Sequence, residues 1–216
     1  MELKYYLYCF ADLVLIATSL IYGIKFLKKG NILLGGELLV VTFSATNLLV
    51  NALTEIPMYM NVSLFCDAFS RSFGIPVIGI AGLMAATHRF KPSTFVDVLL
   101  FALGLVVTVV VWAGDFMKEP KPYLYLALWS AFSLFLVYFA VRLVRAGEKV
   151  QALGVILAMA FAQAIASIYD FYHIPGDDDH VIFYTFALLA WSLLGVAMYH
   201  AYCALERTQS RPQTLS

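Results

Sequence analysis

Tyr123-Leu124-Tyr125 opens a stretch that runs to Ile174-Pro175 and repeats the start of the chain. Its counterpart begins at Tyr6-Leu7-Tyr8. Arg142, Arg145 and Gly147 stand where Lys25, Lys28 and Gly30 stand, at the same offset, and with one extra residue Ile174-Pro175 answers Ile56-Pro57. Each copy reads as an aromatic entry, a long apolar run, a basic corner ending in glycine, a second apolar run and a polar exit at Ile-Pro. A third apolar run follows each copy, and the two end alike, in Thr87-His88-Arg89 and Tyr199-His200. The pattern predicts three spans, one linking span and three spans more. An even number of spans separates the two starts, so the repeats are expected to be parallel, related by an axis along the membrane normal.

Composition decides the solvent. The chain is 62% hydrophobic and only 13% charged, with a mean hydropathy of +0.84, against about 45–50% apolar residues in soluble domains. Runs of about 20 apolar residues, each long enough to cross the hydrocarbon layer, recur down the chain. They predict spans at 5–27, 33–54, 66–88, 95–114, 122–144, 150–172 and 181–204. In lipid every backbone donor and acceptor must be satisfied within its segment, so the spans are helices and the fold class is an all-α polytopic membrane protein. The first run is too long for the apolar region of a signal peptide and lacks a small-residue cleavage site, so it counts as a span. The expected units are a first three-helix repeat at 1–93, a linking helix at 94–121, a second repeat at 122–206 and a short tail at 207–216.

The net charge is zero, which gives no reason to expect a nucleic-acid partner. Its distribution is more informative. Lys25, Lys28, Lys29, Arg89, Lys91, Arg142, Arg145, Lys149, Arg207 and Arg211 fall on one side of seven spans, whereas only Lys4, Arg71, Lys118 and Lys121 fall on the other. The positive-inside rule then puts the N-terminus outside and the C-terminus in the cytoplasm of a cell or inner membrane. Glu55, Asp67, Asp115, Glu119 and Asp177-Asp178-Asp179 crowd the outer face. Cys9, Cys66 and Cys203 form neither a disulfide framework nor a zinc pattern.

Two helices carry polar stripes. Ser44, Asn47, Asn51 and Glu55 follow at steps of three, four and four, and on the equivalent helix of the second copy Gln163, Ser167 and Asp170 follow at steps of four and three. Such a face must look at protein or at water. It acts either as glue between helices or as the wall of a hydrated cavity, and its duplication favours one polar site on the axis between the copies. Asp12 lies inside the first apolar run, where a charge is by default functional. Arg71 stands four residues after Asp67 and pairs with it, answers Asp12 or Glu55, or snorkels as an anchor. The third span, with Gly74, Pro76, Gly79, Gly82 and Ala86, is suited to close packing and to a kink. The fourth is almost featureless, as a lipid-facing linker should be. His173 to His180 packs imidazoles and carboxylates densely, as a divalent metal site does. A short acidic turn of this kind reads as solvated, so no metal and no cofactor is assigned. His88 and His200 read as interface histidines.

The topology resembles two known architectures at the level of fold. One is that of SWEET-type sugar carriers and related vitamin carriers, whose proline-glutamine signature is absent here, so no substrate carries over. The other is that of the microbial rhodopsins, whose third helix Phe73-Gly74-Ile75-Pro76 and the run after it resemble; residues 181–204 contain no lysine, which excludes a retinal Schiff base. Both likenesses concern topology alone. An enzyme is not expected. Tyr169-Asp170 and Gly114-Asp115 are similar to the paired aspartates of intramembrane proteases, but Asp115 is not opposite Asp170, and no Ser-His pair or phosphate-binding loop is present. The sequence therefore reads as a small transporter or channel-like protein whose partners are the lipid bilayer and a small polar solute or ion. A homo-oligomer or membrane partner is compatible with it, and a seven-helix sensor or accessory subunit is the alternative. Asn47, Asn51, Gln163 and Ser167 would bind the solute through neutral hydrogen bonds, with Asp12, Glu55, Arg71 and Asp170 setting charge selectivity or carrying a proton.

Overall fold

Two glycine corners close two of the helical hairpins. Gly30 and Gly147 adopt φ of 74° and 83°, left-handed values that glycine reaches without a Cβ clash, and each ends a helix whose last turn is basic. The computed structural model describes residues 3–210; Arg211 and the rest of the tail lie outside the described residues. Among those residues all regular secondary structure is helical, and seven helices are long and apolar enough to cross a membrane. They are α1 (Leu3–Lys28), α2 (Ile32–Thr54), α3 (Pro57–Thr87), α4 (Thr94–Ala113), α5 (Lys121–Arg145), α6 (Lys149–Ile168) and α7 (Val181–Ser210). The architecture fits a multi-pass integral membrane protein.

The caps follow from side-chain chemistry. The Asn31 side chain accepts from the Leu34 N–H at 3.0 Å and donates to the Gly82 carbonyl at 2.9 Å, so it starts α2 and ties it to α3. Asp177 accepts from the N–H groups of Ile182 and Phe183 at 2.9 and 2.8 Å and starts α7. One expectation needs correction. The third span, expected over 66–88, begins earlier, at Pro57. Proline at the first helical position lacks only an N–H that would be orphaned there, so Pro57 opens α3. Glu55, at φ 57°, makes the corner between them. Within α3 the hydrogen-bonding register changes. Pro57–Phe69 is α-helical, Ser70–Gly79 is a π-helix containing Pro76, and Ile80–Thr87 is α-helical again.

Six helices close a ring: α1 packs on α2, α2 on α3, α3 on α5, α5 on α6, α6 on α7, and α7 back on α1. Helix α4 stands outside this ring, packed mainly on α3. It buries Asp97, Gly104, Thr108 and Val111 on one face and exposes Leu99, Leu103, Val106 and Val110. At the basic end of the bundle the contact of α1 with α7 and that of α3 with α5 look alike. Tyr22 of α1 shares a hydrogen bond with His200 of α7 at 3.2 Å, with Lys25 over its ring at 4.7 Å. Tyr138 of α5 shares one with His88, just past the end of α3, at 3.3 Å and accepts from Arg142 at 3.1 Å. Both histidines sit at helix interfaces. The largest core cluster fills the same half, from Trp129 and Leu194 through Phe132, Leu136, Phe139 and Val155 to Leu143, Tyr202 and Leu205.

Candidate functional site

Toward the acidic end the packing opens into a cavity of about 100 Å³. Leu15, Thr18 and Ser19 of α1 line it, with Leu38, Val41, Ser44 and Leu48 of α2 and Ser63, Asp67, Ser70, Arg71 and Ile75 of α3. Trp129 of α5, Tyr169 just past the end of α6, and Tyr184, Leu188, Trp191 and Met198 of α7 complete the wall. No residue of α4 takes part. The lining is apolar and aromatic, with a few hydroxyls and one ion cluster.

That cluster is centred on Arg71, which is 8% exposed. Arg71 lies in the π segment of α3, from which Ser70, Arg71 and Ile75 line the cavity. Its guanidinium pairs with Asp170 and lies 3.5 Å from Asp67. The rings of Tyr125 and Tyr169 flank it, each centroid 4.1 Å from Cζ, which is cation–π distance. The arginine is thus a buried counter-ion joining α3 to the end of α6, and not a snorkelling anchor.

The other predicted residues are dispersed. Ser44 of the first stripe reaches the cavity and donates to the Ser63 carbonyl at 3.0 Å. Asn47 is buried, but its amide donates to Phe43 of its own helix at 2.8 Å. Asn51 is half-buried, and Glu55 is exposed at the corner before α3. In the second stripe Gln163 accepts from Ser133 at 2.7 Å and donates to Ser130 and Ser167 at 3.4 and 3.2 Å. Gln163 and Ser167 therefore stitch α5 to α6, away from the cavity, while Asp170 reaches Arg71. Asp12 has no exposure, and neither of its oxygens has a hydrogen-bond partner among the described residues. It lies beside the cavity one helical turn before Leu15, close to Tyr8.

Several site residues escaped the sequence reading. Glu37 is 1% exposed, and neither oxygen has a hydrogen-bond partner among the described residues. Its carboxylate fills the space a side chain at Gly74 would need, so glycine there is a matter of room. Its signal was a single acid five residues into the apolar run of α2. Tyr125 and Tyr169 were missed as arginine partners, since only the fold brings their rings to Arg71. Trp191 presents an indole N–H without a hydrogen-bond partner among the described residues at the cavity wall.

No known family profile matches the chain, and comparison with curated proteins and with solved structures found no match.

Proposed function

We propose that this protein is a small membrane carrier with a single binding site between two parallel three-helix halves, α1–α3 and α5–α7, linked by α4. One observation carries the reading: a single cavity receives residues from all six ring helices or their ends and none from α4. Two features support the repeat. The seam of α1 with α7 is answered by that of α3 with α5, and the Tyr22, His200 and Lys25 group is answered by Tyr138, His88 and Arg142. The excess of Lys and Arg orients the basic end toward the cytoplasm, with the N-terminus outside.

In this arrangement the large apolar cluster closes the cytoplasmic side and the Arg71 cluster narrows the outer side. A carrier has to open these closures in turn around a fixed site. The solute that fits is small and amphipathic, because hydroxyls and ions occupy only part of an otherwise apolar wall. The second reading is a seven-helix sensor. The apolar lining favours it, since such a wall suits a resident ligand as well as a passing one.

The test is cysteine labelling in a background lacking Cys9, Cys66 and Cys203. Ser44→Cys, in the wall, is expected to react with a membrane-impermeant thiol reagent added to either side of sealed vesicles, whereas Ser167→Cys stays unlabelled. Reaction of Ser44→Cys from one side only would favour the sensor, and reaction from neither side would overturn the carrier.

A further inference from the structure

Charge balance at the cavity selects the class of substrate. Two carboxylates, Asp67 and Asp170, face one guanidinium, Arg71. With both acids ionised, the cluster holds one more carboxylate than it holds cations. The two acids are not equivalent. Asp170 engages Arg71 directly and lies off the cavity wall, whereas Asp67 lies 3.5 Å from the guanidinium and lines the cavity. An unbalanced charge among apolar helices is costly until a proton or an opposite charge joins it.

From this we infer that the carrier's substrate is a small organic cation, an ammonium group on an apolar body; the inference deepens the carrier reading. The ammonium donates to Asp67, completing a two-plus, two-minus cluster. Trp129, Tyr169, Tyr184 and Trp191 supply aromatic faces in the same wall, and such faces attract a cation. The stacking of Arg71 between Tyr125 and Tyr169 shows a cation held in this way within the site. Leu15, Leu38 and Leu188 cover the apolar body. An anion would meet the surplus carboxylate. A bare metal ion would meet a wall poor in free oxygens, since the Ser44 hydroxyl is already bound to Ser63.

The test uses phenethylammonium and its neutral analogue 2-phenylethanol on the full chain in nanodiscs. Tryptophan fluorescence is read in a Trp112→Phe background, which leaves Trp129 and Trp191 as reporters. Phenethylammonium is expected to quench saturably, the alcohol is not, and Asp67→Asn weakens the cation by about 30-fold or more, the loss expected when one partner of a buried charge pair is removed. Equal responses to amine and alcohol in the wild-type protein would overturn the inference without recourse to a variant. So would the absence of any saturable response to the amine, or an unchanged affinity in a folded Asp67→Asn. Two-sided labelling of Ser44→Cys without amine binding would sink the substrate class and leave the carrier standing; amine binding with one-sided labelling would do the reverse.

Discussion

Glu37 and Gly74 form a lock of two residues. A Cβ built on Gly74 falls on the Glu37 carboxylate, so Gly74→Ala forces the acid or α3 to shift. Overpacking of a tight interior costs roughly 1–3 kcal/mol, and thermal melting in detergent should show a loss of that size. Glu37→Ala vacates the space, so the double variant is expected to be less damaged than the sum of the singles, with a coupling of about 0.5–3 kcal/mol, the range for residues in contact. Strict additivity would mean that the two do not touch. At this scale the sequence was only partly legible. Periodic stripes are visible because they repeat, and Glu37 is solitary. Asp12 was visible as an acid in an apolar run, and Glu37 meets the same criterion. The Arg71 and Asp67 pairing could be read from a four-residue step. The Asp170 pairing could not, because 99 residues separate the partners.

At the scale of elements, hydropathy located all seven helices, because a lipid solvent forces length and apolarity together. Register and boundaries were harder. Pro57 is compatible with both ending and starting a helix, and nothing in an apolar run announces that Ser70–Gly79 winds as a π-helix. The acidic-end loop acts as a latch. Asp179 accepts from Tyr5 at 2.7 Å and pairs with Lys4 at 2.8 Å, clipping the start of α1 to the start of α7. Hydrogen bonds from Lys4, and then from Tyr5, hold its carboxyl well below the usual carboxylate range. A group whose pKa is depressed by folding stabilises the fold above its unfolded value, about 3.9 for Asp, and loses that contribution as pH falls through the folded value. Asp179→Asn is therefore expected to melt below the wild-type protein at neutral pH, with the gap narrowing as the pH drops below the ordinary carboxylate range. A gap independent of pH would remove the latch from the account.

For the whole molecule, the repeated pattern in the sequence suggested an axis with one site upon it, and the structure sets six helices in a ring with α4 outside. The stripes that first pointed to the site are used differently in the two halves. Ser44 faces the cavity, while Gln163 and Ser167 are spent on contacts between α5 and α6. Spacing alone reads the two alike, because a polar face in a membrane looks either at water or at another helix, and only packing decides which. The central claim is that the two halves move about this cavity and open it to each side in turn. Double electron–electron resonance tests it most directly, with one spin-label pair at Thr54 and Tyr172 on the acidic end and another at Lys28 and Arg145 on the basic end, all exposed positions. The account predicts two distances for each pair, with the outer pair lengthening under the conditions in which the inner pair shortens. A single narrow distance for both pairs in every condition would contradict it and leave a static seven-helix scaffold.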